Sequence, residues 1–220
     1  MARTLIVSAF EPEIAPLRRL VRGRRGIVLE LVGIGAVDAA VGAAGAIARA
    51  RPARVIFVGT AGIYGREKEA RAAIGTAVVA GEILCMSTAA LKGEAYLPGP
   101  MVVQVATSRS LQTALAGGRA GEPRHLPCDV ASPLAITRSA ALGRRIAEAT
   151  GATLENLEAF AVARAAAAAG VPFGAVLGVA NRVGPTGHEE WQRHHRAASR
   201  AACELIARFL VPSLDLPPRT

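Results

Sequence analysis

The sequence predicts an α/β fold in which a mixed central sheet, flanked by helices, bends into a distorted barrel portion. Apolar strand-like runs alternate with helical runs over the first 62 residues and again beyond Arg138, the signature of a sheet covered by helices. Between Gly65 and Pro133 the alternation loosens, and longer strands without intervening helices imply a bend toward a barrel. At 220 residues, 51% of them hydrophobic, the chain can bury one substantial core, and no linker, repeat or compositional break divides it, so residues 1–220 are expected to form one domain.

The elements follow in order. Leu5–Ala9 is a buried strand, Glu13–Val21 a helix introduced by Pro12 and acidic residues, and Ile27–Val32 a second strand. Gly33-Ile34-Gly35 turns into a helix over Val37–Ala50. The strand Val55–Val58 ends in a glycine-rich turn, Gly59-Thr60-Ala61-Gly62. Strands are expected at Ala77–Met86 and Met101–Val105 with a helix at Ser108–Leu115, and Gly117-Gly118 and Gly121-Glu122-Pro123 mark a loop. A helix over Arg138–Thr150, a short strand over Ala152–Leu157, an alanine-rich helix over Glu158–Ala169, a strand over Val171–Ala180 and a last helix over Glu189–Leu210 complete the fold. Pro212 and Pro217-Pro218 close a short tail.

A formal charge of +9 and a pI near 10.8 raise the question of nucleic acid. The arginines are scattered, however, and aromatic residues make up only 4%, too few for a base-stacking platform. They read as solvated surface charge. Cys85, Cys128 and Cys203 form no C-x-x-C pair and read as small buried residues in a reducing compartment. The first strand is too short for a signal peptide's apolar core, and no run reaches the ~18 apolar residues of a membrane helix. The expected location is the cytoplasm, without nucleic-acid or membrane partners.

Four polar residues carry the functional signal. Glu13, Thr60, Glu158 and Asn181 stand at or just past the carboxyl ends of four separate strands, the edge at which open α/β sheets bind ligands. A capping role explains any one carboxylate at a helix start, but not four polar groups converging from four strands. Ala61 and Gly62 would offer backbone N–H groups beside the Thr60 hydroxyl. Gly33-Ile34-Gly35 lacks the remainder of a dinucleotide fingerprint, and neither a Walker loop nor a G-x-S-x-G elbow is present. His188, His194 and His195 lie in or beside the last helix and His125 in a loop. None makes a zinc-binding H-E-x-x-H pattern, so they read as surface histidines and no metal site is expected. Trp191 is expected to pack against the loop 184–187 or to cover the pocket.

With these residues in place, the chain resembles the purine nucleoside phosphorylase and nucleosidase superfamily, and within it futalosine hydrolases and methylthioadenosine/S-adenosylhomocysteine nucleosidases. The likeness runs through Ala9-Phe10-Glu11-Pro12-Glu13, Gly33-Ile34-Gly35, Gly59-Thr60-Ala61-Gly62, Glu155-Asn156-Leu157-Glu158-Ala159 and Gly178 to Gly184. It implies a nucleoside phosphorylase-like fold, a purine nucleoside as ligand, a homo-oligomer, and no metal or organic cofactor. It also assigns roles. Glu13 matches the carboxylate that activates water, Glu158 the one that binds the ribose hydroxyls, Leu157 a methionine under the sugar, and Thr60 a hydroxyl near the nucleophile.

Asn181 matches the position that contacts N7 of the purine, an aspartate in the adenine-specific nucleosidases. An amide donates a hydrogen bond but supplies no proton, which suits a 6-oxopurine such as hypoxanthine. Hexameric phosphorylases place a G-D-P-x-R turn and an arginine where this chain has Ser8-Ala9-Phe10-Glu11 and Phe57, which favours water over phosphate. The resemblance thus implies an N-ribosyl hydrolase releasing hypoxanthine from futalosine or a similar nucleoside. An adenine-specific nucleosidase, a phosphorylase and a catalytically silent nucleoside-binding protein are the alternatives. The stacking aromatic near Ser132 to Ile136 is missing, and Phe10, Tyr96 or Phe160 could take its place.

Overall fold

The computed structural model describes residues 3–65, 72–117 and 127–211. The expected features at Gly118, Gly121-Glu122-Pro123, His125, Pro212 and Pro217-Pro218 lie outside those residues.

Strand β1 (Thr4–Ser8) leads through helix α1 (Glu11–Leu20) to β2 (Ile27–Leu31), and α2 (Ala36–Ala50) returns the chain to β3 (Arg54–Ile63). β1 lies between β2 and β3, parallel to both. Next come β4 (Ala77–Met86), the single turn α3 (Thr88–Leu91), β5 (Gln104–Ala106), α4 (Arg109–Ala116) and β6 (Cys128–Pro133). The chain then forms α5 (Ala140–Thr150), β7 (Leu154–Glu155), α6 (Ala159–Ala168), β8 (Phe173–Arg182) and α7 (Gly187–Leu210).

The predicted barrel is a closed ring. β3 pairs with β7, β7 with β6, β6 with β4, β4 with β8, and β8 returns to β3. β1 and β2 extend the sheet from one edge of β3, and β5 extends it from β4. Both faces of the sheet are covered at its centre, so β1, β3 and most of β8 are buried along their length. The two-residue period sorts their side chains into two cores: Leu5, Val7, Phe57 and Leu177 pack toward α2 and α6, while Ile6, Ile56, Val58 and Val176 pack toward α1 and α7. Among the described residues no helix is long and apolar enough to cross a membrane.

Several boundaries depart from the sequence reading. Gly59-Thr60-Ala61-Gly62 is not a turn: β3 continues to Ile63, paired along its length with β8 and irregular only between Ala61 and Gly62. The strand read over Ala152–Leu157 contracts to Leu154–Glu155, and Met101–Val105 shifts to Gln104–Ala106. β6, to which the sequence reading assigned no element, is a strand. Its sequence, Cys128-Asp129-Val130-Ala131-Ser132-Pro133, has little intrinsic strand character, and its neighbours impose the extended form. Where the register of β4 slips between Ala80 and Ile83, Asp129 Oδ1 accepts the Glu82 N–H at 2.8 Å, satisfying a donor near that irregularity.

Candidate active site

The site occupies a slot in the ladder of β3. One edge of that strand pairs with β1 as far as Phe57 and with β7 only from Gly62 onward. Between them the Thr60 peptide has no strand partner on that side, and a buried peptide must find one. Two side chains provide it. Glu13 Oε1 accepts the Thr60 N–H at 2.8 Å, and Asn156 Nδ2 donates to the Thr60 carbonyl at 2.9 Å.

Glu13, in the first turn of α1, is 4% exposed. Its Oε1 also accepts the Thr60 hydroxyl at 2.7 Å, and its Oε2 accepts the Ser8 hydroxyl at 3.1 Å. Burial pushes its pKa up to about 7; the Thr60 and Ser8 hydrogen bonds oppose the shift and the nearby Glu158 charge adds to it. Trp191 Nε1 donates to Thr60 Oγ1 at 3.0 Å. Because an indole N–H only donates, it directs the threonine proton toward Glu13. The Trp191 ring stacks on His195 at 4.4 Å and tilts against Phe10 at 6.2 Å.

Glu158 precedes α6 and is 6% exposed. Its Oε1 accepts the N–H of Gly35 at 2.9 Å, and burial raises its pKa. Gly35 has φ +85°, a left-handed conformation that favours glycine and presents this N–H. Asn156 positions Glu158: its Oδ1 accepts the N–H groups of Glu158 at 3.0 Å and Ala159 at 2.8 Å, while its amide holds Thr60. One side chain therefore ties the Glu158 backbone to the peptide that carries Glu13.

These groups surround a cavity of about 310 Å³, near the lower end of the roughly 300–1,000 Å³ usual for small-molecule sites. Glu13, Thr60, Glu158 and Asn181 all reach it, as do Phe10, Ala61, Gly62 and Leu157. Asn181 Nδ2 donates one hydrogen to the Arg182 carbonyl at 2.9 Å. Phe160 does not line the cavity; its side chain packs against the core beneath α6. Tyr96 is 85% exposed and also stands apart. The rings at the cavity are those of Phe10, Trp191 and His188, so Trp191 forms part of the cavity wall, with His195 stacked behind it. Phe57 is fully buried in the core.

Sequence reasoning missed Ser8, Asn156, Glu155 and the Trp191 hydrogen bond. Asparagine just before a helix is a capping signal, and a carboxylate inside an apolar strand run calls for a partner; both could have been noticed. Among the described residues the cavity wall carries no lysine or arginine, and no group of His, Cys, Asp or Glu is arranged to hold a metal.

Solved structures share this fold. The 5′-methylthioadenosine/S-adenosylhomocysteine nucleosidase of Neisseria meningitidis, in complex with methylthio-immucillin-A, superposes with a TM-score of 0.82 at 21% identity, over 96% of this chain and 99% of that one. The corresponding nucleosidase of Helicobacter pylori gives 0.84 at 18% identity, over 96% and 98%. The futalosine hydrolase of Helicobacter pylori gives 0.82 at 16%, over 95% and 97%. No curated protein sequence matches the chain. The sequence profile of the phosphorylase superfamily, by contrast, matches residues 10–211, a span that takes in every element from α1 to α7 and all the site residues named above except Ser8, and the chain belongs to that superfamily.

Proposed function

We propose that the chain is a nucleoside N-ribosyl hydrolase that releases a purine base, hypoxanthine from futalosine or a similar 6-oxopurine nucleoside. The observation that carries this reading is a buried carboxylate with a pKa near 7, Glu13, in a cavity whose described wall has three carboxylates and no lysine or arginine. Phosphate would meet like charge there, whereas water would meet a base of matched pKa.

Glu13 Oε2, bonded to Ser8 alone among side chains, has a lone pair left for a water. As that water attacks C1′ its proton passes to Glu13, the C1′–O bond forms, and the C1′–N9 bond breaks with its electron pair leaving on the base. Glu158 accepts hydrogen bonds from the ribose hydroxyls and stabilises the oxocarbenium-like sugar. Asn181 donates to N7 of the departing base, which takes its proton from solvent. With Glu13 as base, kcat/KM should climb about tenfold per pH unit below pH 7 and level off above it. A pH profile flat between 5 and 8 would refute the assignment.

Purified protein incubated with futalosine, inosine, adenosine and methylthioadenosine, with and without phosphate, is expected to release hypoxanthine without needing phosphate. Phosphate-dependent formation of ribose 1-phosphate would make it a phosphorylase, and binding without release a silent receptor. Asn181→Asp is expected to raise adenine release relative to hypoxanthine by about tenfold, since the acid can protonate N7; an unchanged ratio in a competition assay would remove Asn181 from base selection.

The reading includes a homo-oligomer. Ile34, Val37 and Val41 expose an apolar face on and before α2, and both Ile34 and the exposed Ile136 line the cavity. A second copy packed over this face would shape the cavity mouth. Light scattering should give a dimer or larger, and Val37→Glu with Val41→Lys should yield monomers.

A further inference from the structure

We propose that Trp191 is a positioning residue for the hydrolysis: acting through Thr60, its indole N–H decides which oxygen of Glu13 receives the proton of the attacking water. The inference rests on the reading of Glu13 as general base given above.

The two oxygens of Glu13 are not equivalent. Oε1 accepts both the N–H and the hydroxyl of Thr60, at 2.8 and 2.7 Å, whereas Oε2 accepts the Ser8 hydroxyl at 3.1 Å. The N–H bond to Oε1 is fixed, because the backbone of β3 carries it. The hydroxyl bond is not, since a threonine O–H turns about its C–O bond and can donate or accept. Left to itself, it could swing its proton away and accept one from a protonated Oε1. Either carboxylate oxygen would then serve as the base.

Trp191 removes that choice. Its Nε1–H donates to Thr60 Oγ1 at 3.0 Å, and a group that only donates must be met by a lone pair. With one lone pair of Thr60 committed to α7, the hydroxyl proton stays on its acceptor, Glu13 Oε1. Two donors then fill Oε1, and Oε2 is the oxygen open to a water. The indole is itself held in place. His195 stacks on it at 4.4 Å and bonds through Nδ1 to the Trp191 carbonyl at 3.0 Å, while Phe10 lies against the ring at 6.2 Å.

A hydrogen bond donated to a carboxylate favours the charged form. By keeping Thr60 a donor, Trp191 opposes the upward pull of burial on Glu13, whose pKa stands at about 7. The other titratable groups facing Glu13 are Glu158 on the cavity wall and Cys203 on α7, whose thiol donates to the Glu13 carbonyl at 3.2 Å. His188 and His195 lie against the indole. All four are retained when the N–H alone is removed, so the effect of that removal reaches Glu13 through Thr60.

The test is Trp191→Phe, which keeps an aromatic ring and loses the N–H. The Glu13 carboxyl is titrated by its infrared band, as the difference between each protein and its Glu13→Gln counterpart, which needs no substrate. The pKa of Glu13 is expected to rise by about one pH unit in Trp191→Phe. The acid limb of kcat/KM should move with it, giving about a tenfold loss below roughly pH 6 and convergence with the wild type above roughly pH 9. In a Thr60→Val background the same substitution is expected to move neither. An unchanged Glu13 titration in Trp191→Phe would overturn the proposal and leave Trp191 as part of the cavity wall. A full shift in the Thr60→Val background would overturn the route through Thr60. Should Trp191→Phe fail to fold, β-(3-benzothienyl)alanine at position 191, with sulfur in place of N–H, decides by the same titration. If no nucleoside is hydrolysed although the titration shifts, the hydrolase reading falls while the hold of Trp191 on Glu13 stands. Hydrolysis with an unshifted titration removes only the role of Trp191.

Discussion

Glu13→Gln is expected to lower turnover by about 10²–10⁴-fold, the range for loss of a positioned general base, while nucleoside binding changes little. The substitution preserves the local hydrogen bonds. A glutamine oxygen can accept the Thr60 N–H and hydroxyl as Oε1 does now, and its amide can donate to Ser8, whose hydroxyl also lies 3.5 Å from the Phe10 carbonyl. What disappears is the ionisable group.

The same variant should be more stable at pH 8, and the sign follows from the raised pKa. A carboxylate lifted from 4.5 to about 7 binds its proton more tightly in the folded state. Its favourable contribution is therefore fully present below pH 4.5 and is lost as pH rises through 7. The shift corresponds to a cost on the order of 3 kcal/mol in alkaline solution. Glutamine avoids that cost, so the variant's melting temperature should exceed the wild type's by several degrees at pH 8, with the difference disappearing toward pH 4.5. Turnover assays and melting curves at the two pH values check both halves, and full turnover in the variant would overturn the role of Glu13 as base.

The largest stability effect should come from Gly178→Ala. A β-carbon at Gly178, in the middle of β8, would lie 2.2 Å from the carbonyl oxygen and 2.4 Å from the carbonyl carbon of Ala198 in α7. These are backbone atoms, so no rotamer change relieves the overlap and the helix must move off the barrel. The expected loss is about 3 kcal/mol or more, beyond the range of ordinary overpacking. Trp191 stands two turns upstream on the same helix, roughly 10 Å along its axis, so displacement of α7 would also pull the indole from Thr60. Gly99→Ala is the control, since nothing lies within 4 Å of its added carbon. Melting curves should show a collapse for Gly178→Ala and no change for Gly99→Ala.

The alternating elements were legible because burial on both faces leaves its mark within each segment: β1, α2, β4 and β8 stand within a residue or two of where periodicity puts them. β6 was not legible, because its extended form comes from β4 rather than from its own residues. The end of β3 was misread for a related reason: two glycines flanking Thr60-Ala61 look like a turn, yet Gly62 lines the cavity and Gly59 lies against the Phe57 ring inside a continuing strand. Glu13, Glu158 and Asn181 could be picked out because they stand close to strand ends that the sequence locates, whereas Thr60 was picked out by the glycines around it although β3 runs on to Ile63. The bonds that organise them join Trp191 to Thr60 and Asn156 to Thr60 across 131 and 96 residues, distances over which no local pattern speaks.

The slot in β3 has a consequence for inheritance. Glu13 does more than face the cavity: it closes the ladder at Thr60, and a side chain unable to accept there would strand a buried N–H at a cost of about 1–3 kcal/mol. A relative without any catalytic activity would still be selected to retain an acceptor at position 13. Glutamate or glutamine found there in distant members therefore records the needs of the fold first, and turnover must be read from the cavity around it.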